Sequence, residues 1–207
     1  IVIGGSTGEY YAHTAEERLA LAAHASKVIA GRLPLVVGTG AIRTEDSLAY
    51  AEAARAIGAD AILVGSPPYA LPTSREIAEH VLAVDRAAGL PIMLYNYPAR
   101  MGVEMDEAFF AAVAGCRNIV AIKESSGSTA QLHRLACRHP RITLSCGWDD
   151  QALEFFAWGA RSWVCAGSNF IPGEHLALYQ ACVVENDFAK GRRIMAAMMP
   201  LMDFLES

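Results

Sequence analysis

Short apolar runs alternate with longer stretches of mixed polarity along this chain. The runs show no strict alternation of apolar and polar positions, which is typical of parallel strands buried on both faces. Seven runs can be distinguished: Ile1–Gly4, Pro34–Val37, Ala61–Val64, Pro91–Tyr95, Ile119–Lys123, Ile142–Cys146 and Ser162–Ala166. The pattern predicts strands alternating with helices, as in a parallel α/β fold.

The stretches between the runs carry signals for helix starts. Thr14-x-x-Glu17 and Thr73-x-x-Glu76 match the capping box, in which two side chains satisfy the free backbone N–H groups of a helix start. Thr44 and Asp106 are candidate N-caps. A further apolar-faced helix is predicted from about Asp187 to Leu205, with Ile194, Met198, Leu201 and Leu205 on the packed face.

Seven strands are one fewer than a (β/α)8 TIM barrel contains. The chain starts inside an apolar run without a methionine and ends in a helix, so we expect the first barrel strand and part of a C-terminal helical extension to be missing. Residues 1–186 are assigned to strands 2–8 of one barrel domain, and residues 187–207 to the start of the extension. An open, doubly wound seven-stranded sheet is the alternative fold.

The composition and charge of the chain argue against several classes of function. Of 207 residues, 53% are hydrophobic and 19% charged, as expected for one well-buried domain. A net charge of −5 argues against nucleic acid and anionic membranes as partners. No apolar run reaches membrane-spanning length and no signal peptide is visible. The five cysteines lack metal-binding spacing, and the six histidines are scattered. We therefore expect a cytoplasmic protein with reduced thiols, no metal and no cofactor.

Lys123 is the most informative residue of the pattern. It continues the buried run that starts at Ile119, whereas lysine is almost never fully buried unless it is paired or functional. It could instead extend out of the strand end or pair with Glu124. Free lysine, with a pKa of about 10.4, is neutral in only about one molecule per few thousand at pH 7. Desolvation frees the amine for attack on a carbonyl, so the pattern favours a Schiff-base nucleophile.

Other candidates stand where strands end, which is where parallel α/β folds bind ligands. The first run ends in Gly4-Gly5-Ser6-Thr7-Gly8-Glu9, whose backbone N–H groups could cradle a carboxylate, although a tight turn without a ligand is equally compatible. Gly38-Thr39-Gly40 lacks the third glycine of a dinucleotide fingerprint. Tyr95 and Arg100 add a hydroxyl and a guanidinium, although Tyr95 could simply be a core aromatic residue.

Together these residues resemble the dihydrodipicolinate synthase / N-acetylneuraminate lyase family of Schiff-base-forming barrel enzymes. The resemblance covers essentially the whole chain. Its marks are Gly5-Ser6-Thr7-Gly8-Glu9, Gly38-Thr39-Gly40, Ser66-Pro67-Pro68-Tyr69, Tyr95-Asn96-Tyr97-Pro98-Ala99-Arg100-x-Gly102 and Ile122-Lys123-Glu124. Each mark alone is weak, but their combination and spacing are specific.

The resemblance implies a role for each site residue. Lys123 forms the imine with pyruvate or another 2-keto acid, and Tyr95 relays protons. The keto-acid carboxylate is bound by the segment of Gly5, Ser6 and Thr7.

The remaining roles that the resemblance implies are a hydroxyl relay completed by Ser6 and Tyr69, recognition of a second carboxylate by Arg100, and pocket lining by Gly147 and Val164. It also implies a homotetramer, a dimer of dimers, in which Tyr69 reaches the neighbouring subunit's site.

Three departures bear on the second substrate. The synthase branch of the family usually has tyrosine at the position of Pro68, threonine at that of Met101 and a small acidic residue near Trp148. The synthase reaction remains the leading interpretation because of Arg100. A 2-keto-3-deoxy sugar-acid aldolase or dehydratase is the alternative, supported by Trp148 and Met101. A non-catalytic keto-acid-binding homologue is a third reading, disfavoured by the intact Lys123 and Tyr95.

Overall fold

The computed structural model describes residues 1–206. The chain forms two compact units, the first spanning Ile1–Ala121 and the second beginning at Ile122. Both units alternate strands with helices, so the predicted α/β class is confirmed. Within residues 1–206, no helix is both long enough and apolar enough to cross a membrane.

The first unit contains four complete strands and five helices. The strands are β1 Val2–Ile3, β2 Val36–Gly38, β3 Ala61–Gly65 and β4 Ile92–Asn96, and β5, Ile119–Glu124, begins here. The helices are α1 Ala15–Ile29, α2 Thr44–Ala56, α3 Ser74–Ala88, α4 Pro98–Met101 and α5 Glu107–Ala112. Each strand predicted from an apolar run is present, displaced or shortened by a few residues at most.

The strands of the first unit pair in chain order, and every pair is parallel. β1 pairs with β2, β2 with β3 and β3 with β4. Ile62 and Val64 of β3 and Ile92 and Leu94 of β4 are fully buried, as expected for strands covered on both faces. Consecutive pairing without reversal is the order of a barrel wall, whereas a doubly wound sheet reverses at a switch point.

Up to residue 206, the second unit contains the end of β5, two further strands and four α-helices. These are α6 Thr129–Arg138, β6 Thr143–Cys146, α7 Ala152–Ala157, β7 Ser162–Trp163, α8 Pro172–Tyr179 and α9 Phe188–Glu206. β6 and β7 are parallel. The predicted C-terminal helix is α9, while residue 207 of the predicted extension lies outside the described residues. The buried residues of α9 include Met195, Met198 and Met202. Met198 was predicted for this face, whereas the other predicted residues, Ile194, Leu201 and Leu205, are only half-buried.

Most predicted helix starts are confirmed. Thr14 and Thr73 each form a capping box with the glutamate three residues later. Asp106 accepts a hydrogen bond from the backbone N–H of Phe109 at 2.9 Å, as an N-cap should. The prediction for Thr44 is wrong, because Arg43 is the N-cap residue and Thr44 is already helical. Its hydroxyl lies 3.0 Å from Nδ1 of His80 on α3, so a contact between helices has taken the place of a cap.

Candidate active site

Lys123 lies at the carboxyl end of β5 and is buried, with 9% of its surface exposed. The side chain packs against the backbone of Gly147, the first residue after β6. A Cβ atom added to Gly147 would lie 2.7 Å from Cγ and 2.8 Å from Cε of Lys123. The lysine therefore does not extend away from the strand end into solvent, and glycine at 147 leaves the space that its side chain occupies.

Gly147 is held to the residues that flank Lys123 in the chain. Its N–H donates to the carbonyl of Glu124 at 2.9 Å. The hydroxyl of Ser125 donates to the carbonyl of Gly147 at 2.8 Å. These two bonds hold the ends of β5 and β6 together and so position Gly147 beside the lysine.

Asp149 organises the next strand end, although the sequence interpretation did not single it out. The carboxylate is buried and accepts hydrogen bonds from the N–H groups of Ala166 at 3.0 Å and Gly167 at 2.9 Å. It also accepts one from the indole N–H of Trp163 at 3.3 Å. An acidic residue three positions beyond a buried strand was the available signal. The predicted pocket residue Val164 lies between Trp163 and Ala166, and its N–H donates to the carbonyl of Cys146 at 2.9 Å.

The glycine-rich segment after β1 forms a tight turn. The N–H of Gly8 donates to the carbonyl of Gly5 at 3.1 Å, and the N–H of Glu9 donates to the carbonyl of Ser6 at 3.0 Å. Ser6 and Thr7 are thus the two central residues of the first turn. Successive N–H groups in such a turn form an anion-binding concavity, which suits the predicted carboxylate site.

Ser6 and Tyr95 are brought together in the first unit. Their hydroxyl oxygens are 3.4 Å apart, and Tyr95 is 6% exposed. A small cleft beside this pair is lined in part by Gly5, Ser66 and Met101. Met101, with 5% exposure, gives the cleft an apolar wall.

Arg100 and Tyr69 lie at the surface of the first unit. Arg100 is exposed on α4, and its hydrogen bond with the side chain of Tyr97 raises the pKa of the guanidinium above its ordinary value. Tyr69 is 89% exposed and has a φ of 71°, an unusual backbone conformation for a bulky residue. The structure therefore does not bury Tyr69 beside Ser6 and Tyr95 within the chain, and its place in a hydroxyl relay stays a prediction.

No three His, Cys, Asp or Glu side chains among the described residues come together as a possible metal site. In the second unit, the buried amine of Lys123 suits nucleophilic attack on a carbonyl. In the first unit, the turn after β1 offers N–H groups that suit a carboxylate.

Comparison with known proteins places this chain in a family. The model of the "Dihydrodipicolinate synthetase family" matches residues 1–207. The chain is 38% identical over 208 residues to the 4-hydroxy-tetrahydrodipicolinate synthase of Exiguobacterium sibiricum, covering 100% of this chain and 71% of that protein.

Solved structures agree with the sequence match. The 4-hydroxy-tetrahydrodipicolinate synthase of Methylacidiphilum fumariolicum superimposes with a TM-score of 0.95 at 30% identity, covering 100% of this chain and 69% of that one. The chloride-inhibited dihydrodipicolinate synthase of Acinetobacter baumannii, complexed with pyruvate, gives a TM-score of 0.92 at 27% identity, covering 99% and 70%. This chain belongs to the dihydrodipicolinate synthetase family.

Proposed function

We propose that this protein forms an imine between Lys123 and pyruvate or a related 2-keto acid, and uses it in a 4-hydroxy-tetrahydrodipicolinate synthase reaction. The observation that carries the proposal is the burial of Lys123 at a strand end, against Gly147. Burial favours the neutral amine over the ammonium ion, and the neutral amine is the form that attacks a carbonyl. The pyruvate complex of the Acinetobacter baumannii relative supports the choice of keto acid.

The chemistry follows from the groups assigned. The amine nitrogen of Lys123 adds to the ketone carbon, the ketone oxygen takes up two protons and leaves as water, and a C=N bond joins enzyme and substrate. The protonated imine draws electrons from the neighbouring methyl carbon, which gives up a proton and becomes a nucleophile. Tyr95 relays these protons, with Ser6 as its hydroxyl partner at 3.4 Å. The turn at Ser6 and Thr7 binds the carboxylate.

A second substrate class is favoured by one observation. Met101 is buried in the wall of the cleft that Ser6 and Tyr95 line, so this wall offers no hydroxyl at the position where the synthase branch usually carries one. A 2-keto-3-deoxy sugar-acid aldolase or dehydratase would use the same imine with a different partner molecule. Arg100, which suits a carboxylate through its planar fork, favours the synthase reaction.

Turnover assays separate these reactions. The purified protein is incubated with pyruvate and a panel of aldehydes, and separately with 2-keto-3-deoxy sugar acids. The synthase proposal predicts consumption of pyruvate together with an aldehyde. Release of pyruvate from a sugar acid would indicate an aldolase, and loss of water without pyruvate release a dehydratase. Binding of pyruvate with no turnover in any arm would identify a non-catalytic homologue, and Lys123→Ala should be inactive throughout.

The resemblance also implies an assembly of subunits. We propose a homotetramer built from dimers, in which Tyr69 contacts the neighbouring subunit. Tyr69 and Leu71 are 89% and 61% exposed on a segment stiffened by Pro67, Pro68 and Pro72, and tyrosine is enriched at interfaces. The eight-stranded barrel, the cytoplasmic location and the absence of nucleic-acid and membrane partners remain predictions.

A further inference from the structure

Arg18 contacts two aromatic rings and two backbone carbonyls. It lies in the first turn and a half of α1, half-buried, with its guanidinium carbon 3.7 Å from the ring centroid of Tyr50 and 5.0 Å from that of Tyr10. Cation–π contacts with these two rings restrict the position of the guanidinium. A cation near a helix N-terminus is opposed by the helix dipole, so this placement requires other favourable interactions.

Those interactions are hydrogen bonds to the end of β2. Nη1 of Arg18 donates to the carbonyl of Gly40 at 2.9 Å, and Nη2 donates to the carbonyl of Gly38 at 3.1 Å. The two-pronged guanidinium thus binds both glycines of the Gly38-Thr39-Gly40 segment. The ring of Tyr10 packs against the same segment, since a Cβ atom on Gly40 would lie 3.2 Å from this ring.

The segment that Arg18 holds touches the predicted carboxylate-binding turn. A Cβ atom on Gly38 would overlap the carbonyl oxygen of Gly4 and lie 2.8 Å from its carbonyl carbon. No side chain separates the two backbones, so Gly38 cannot move towards Gly4 without displacing it. Gly4 directly precedes Gly5 and Ser6, and the hydroxyl of Ser6 meets that of Tyr95.

We infer that Arg18 is a positioning residue for keto-acid binding: by holding the carbonyls of Gly38 and Gly40, it sets the Gly4–Glu9 turn against which the carboxylate binds. Arg18 acts through the backbone and does not touch the substrate. The inference rests on the proposed function for the identity of the ligand. Its structural part, the dependence of the turn on Arg18, can be measured without any substrate.

Arg18→Lys is the informative variant, because lysine keeps the positive charge and the contact with aromatic rings but lacks the fork that reaches two carbonyls. Arg32→Lys is the matched control. Arg32 also donates to two carbonyls, those of Val28 at 2.8 Å and Ile29 at 3.1 Å, but these belong to the end of α1. A general loss of arginine bonding would affect both variants alike.

The first measurement is borohydride trapping of the imine across a range of pyruvate concentrations. Arg18→Lys should raise the half-saturating pyruvate concentration about tenfold, as expected for loss of one charge-assisted hydrogen bond. The maximal trapping rate per folded molecule should stay within about threefold, since the lysine nucleophile is unchanged. A merely structural role would lower the amount of active protein and leave half-saturation where it was. Unchanged half-saturation in Arg18→Lys would overturn the inference.

The second measurement is amide hydrogen exchange of the protein without ligand. Exchange over residues 4–9 should be faster in Arg18→Lys than in the parent protein, and unchanged in Arg32→Lys. Equal exchange in all three proteins would overturn the inference whatever the trapping shows. If the parent protein traps no pyruvate, the proposed function fails, and the exchange comparison still decides whether Arg18 holds the turn.

Discussion

The hydroxyl oxygens of Ser6 and Tyr95 lie 3.4 Å apart, although 89 residues separate the two in the chain. The pair connects the segment after β1 with the end of β4, and Tyr95 is buried. A short path between two part-buried hydroxyls is suited to moving protons to and from a bound substrate.

Tyr95→Phe should therefore lower turnover by about 10²-fold or more, the ordinary contribution of one proton-transfer group. The ring that packs in the core is retained, so the fold should be unaffected. Initial rates and far-UV circular dichroism check this. Tyr179→Phe is the control, because its hydroxyl binds the carbonyl of Arg161 in the second unit. Full turnover in Tyr95→Phe would contradict the proton-relay assignment.

Arg100→Lys should impair use of the second substrate while leaving imine formation largely intact. The guanidinium is exposed, bonded to Tyr97 and fully charged, so it is available to a carboxylate in a way that a lysine cannot reproduce. We expect a loss of about 10- to 100-fold in catalytic efficiency for the second substrate. Steady-state kinetics with borohydride trapping in parallel measure both steps.

The control for Arg100 is Arg75→Lys, a change at an exposed arginine that pairs with Glu79 at 2.8 Å on α3. It should leave both steps unchanged. Equal losses of trapping and turnover in Arg100→Lys would show that Arg100 supports the fold or the first substrate instead.

Tyr69→Phe should lower turnover without abolishing imine trapping, because a relay hydroxyl is lost while Lys123 keeps its amine. The residue is 89% exposed in one chain, so the expected effect depends on a second chain. Sedimentation should show a dimer or tetramer for the parent protein. An active monomer, or full turnover in Tyr69→Phe, would contradict the assignment of this tyrosine to a subunit contact.

The stability of the fold should depend on pH through His80. Burial lowers the pKa of this imidazole to about 4 from its ordinary 6.5. The folded state therefore binds the proton less readily than the unfolded state. The contribution of neutral His80 to the free energy of unfolding is complete above pH 6.5. It is lost as the pH falls from 6.5 towards 4, and the loss amounts to up to about 3 kcal/mol.

Urea unfolding at pH 7.5 and pH 5 tests the prediction for His80. The parent protein should lose about 2 kcal/mol more than His80→Gln between these values. The bond with Thr44 is lost in the variant at both pH values, so it does not enter the comparison. His24→Gln, at an exposed position of α1, should follow the parent protein. Identical pH dependence in His80→Gln and the parent would contradict the assignment.

Much of the fold could be predicted from sequence because its strands are continuous apolar runs. β3, β4 and β5 are each within one residue of the predicted bounds at either end. The burial of Lys123 also follows from its place at the end of such a run. The predicted bounds of β1 and β7 are too long. The residues after β1 form a local turn, and the N–H of Ala166 after β7 bonds to the carboxylate of Asp149.

The residues that sequence could not reveal are those whose partners are distant in the chain. Arg18 follows two glutamates at a helix start, a pattern typical of a solvated surface, and its carbonyl partners lie 20 and 22 residues away. Thr44 has the chemistry of an N-cap, yet His80 on α3 binds its hydroxyl. Only tertiary packing decides between such alternatives, because each is locally acceptable.

The central claim is that Lys123 is the nucleophile, and covalent trapping tests it most directly. The protein is incubated with pyruvate and borohydride, which reduces an imine to a stable secondary amine, and the modified peptide is located by mass spectrometry. We expect one reduced pyruvate adduct, on Lys123, and none in Lys123→Ala. Labelling of Lys27 or Lys190 in place of Lys123, or no adduct in protein that turns over a keto acid, would contradict it.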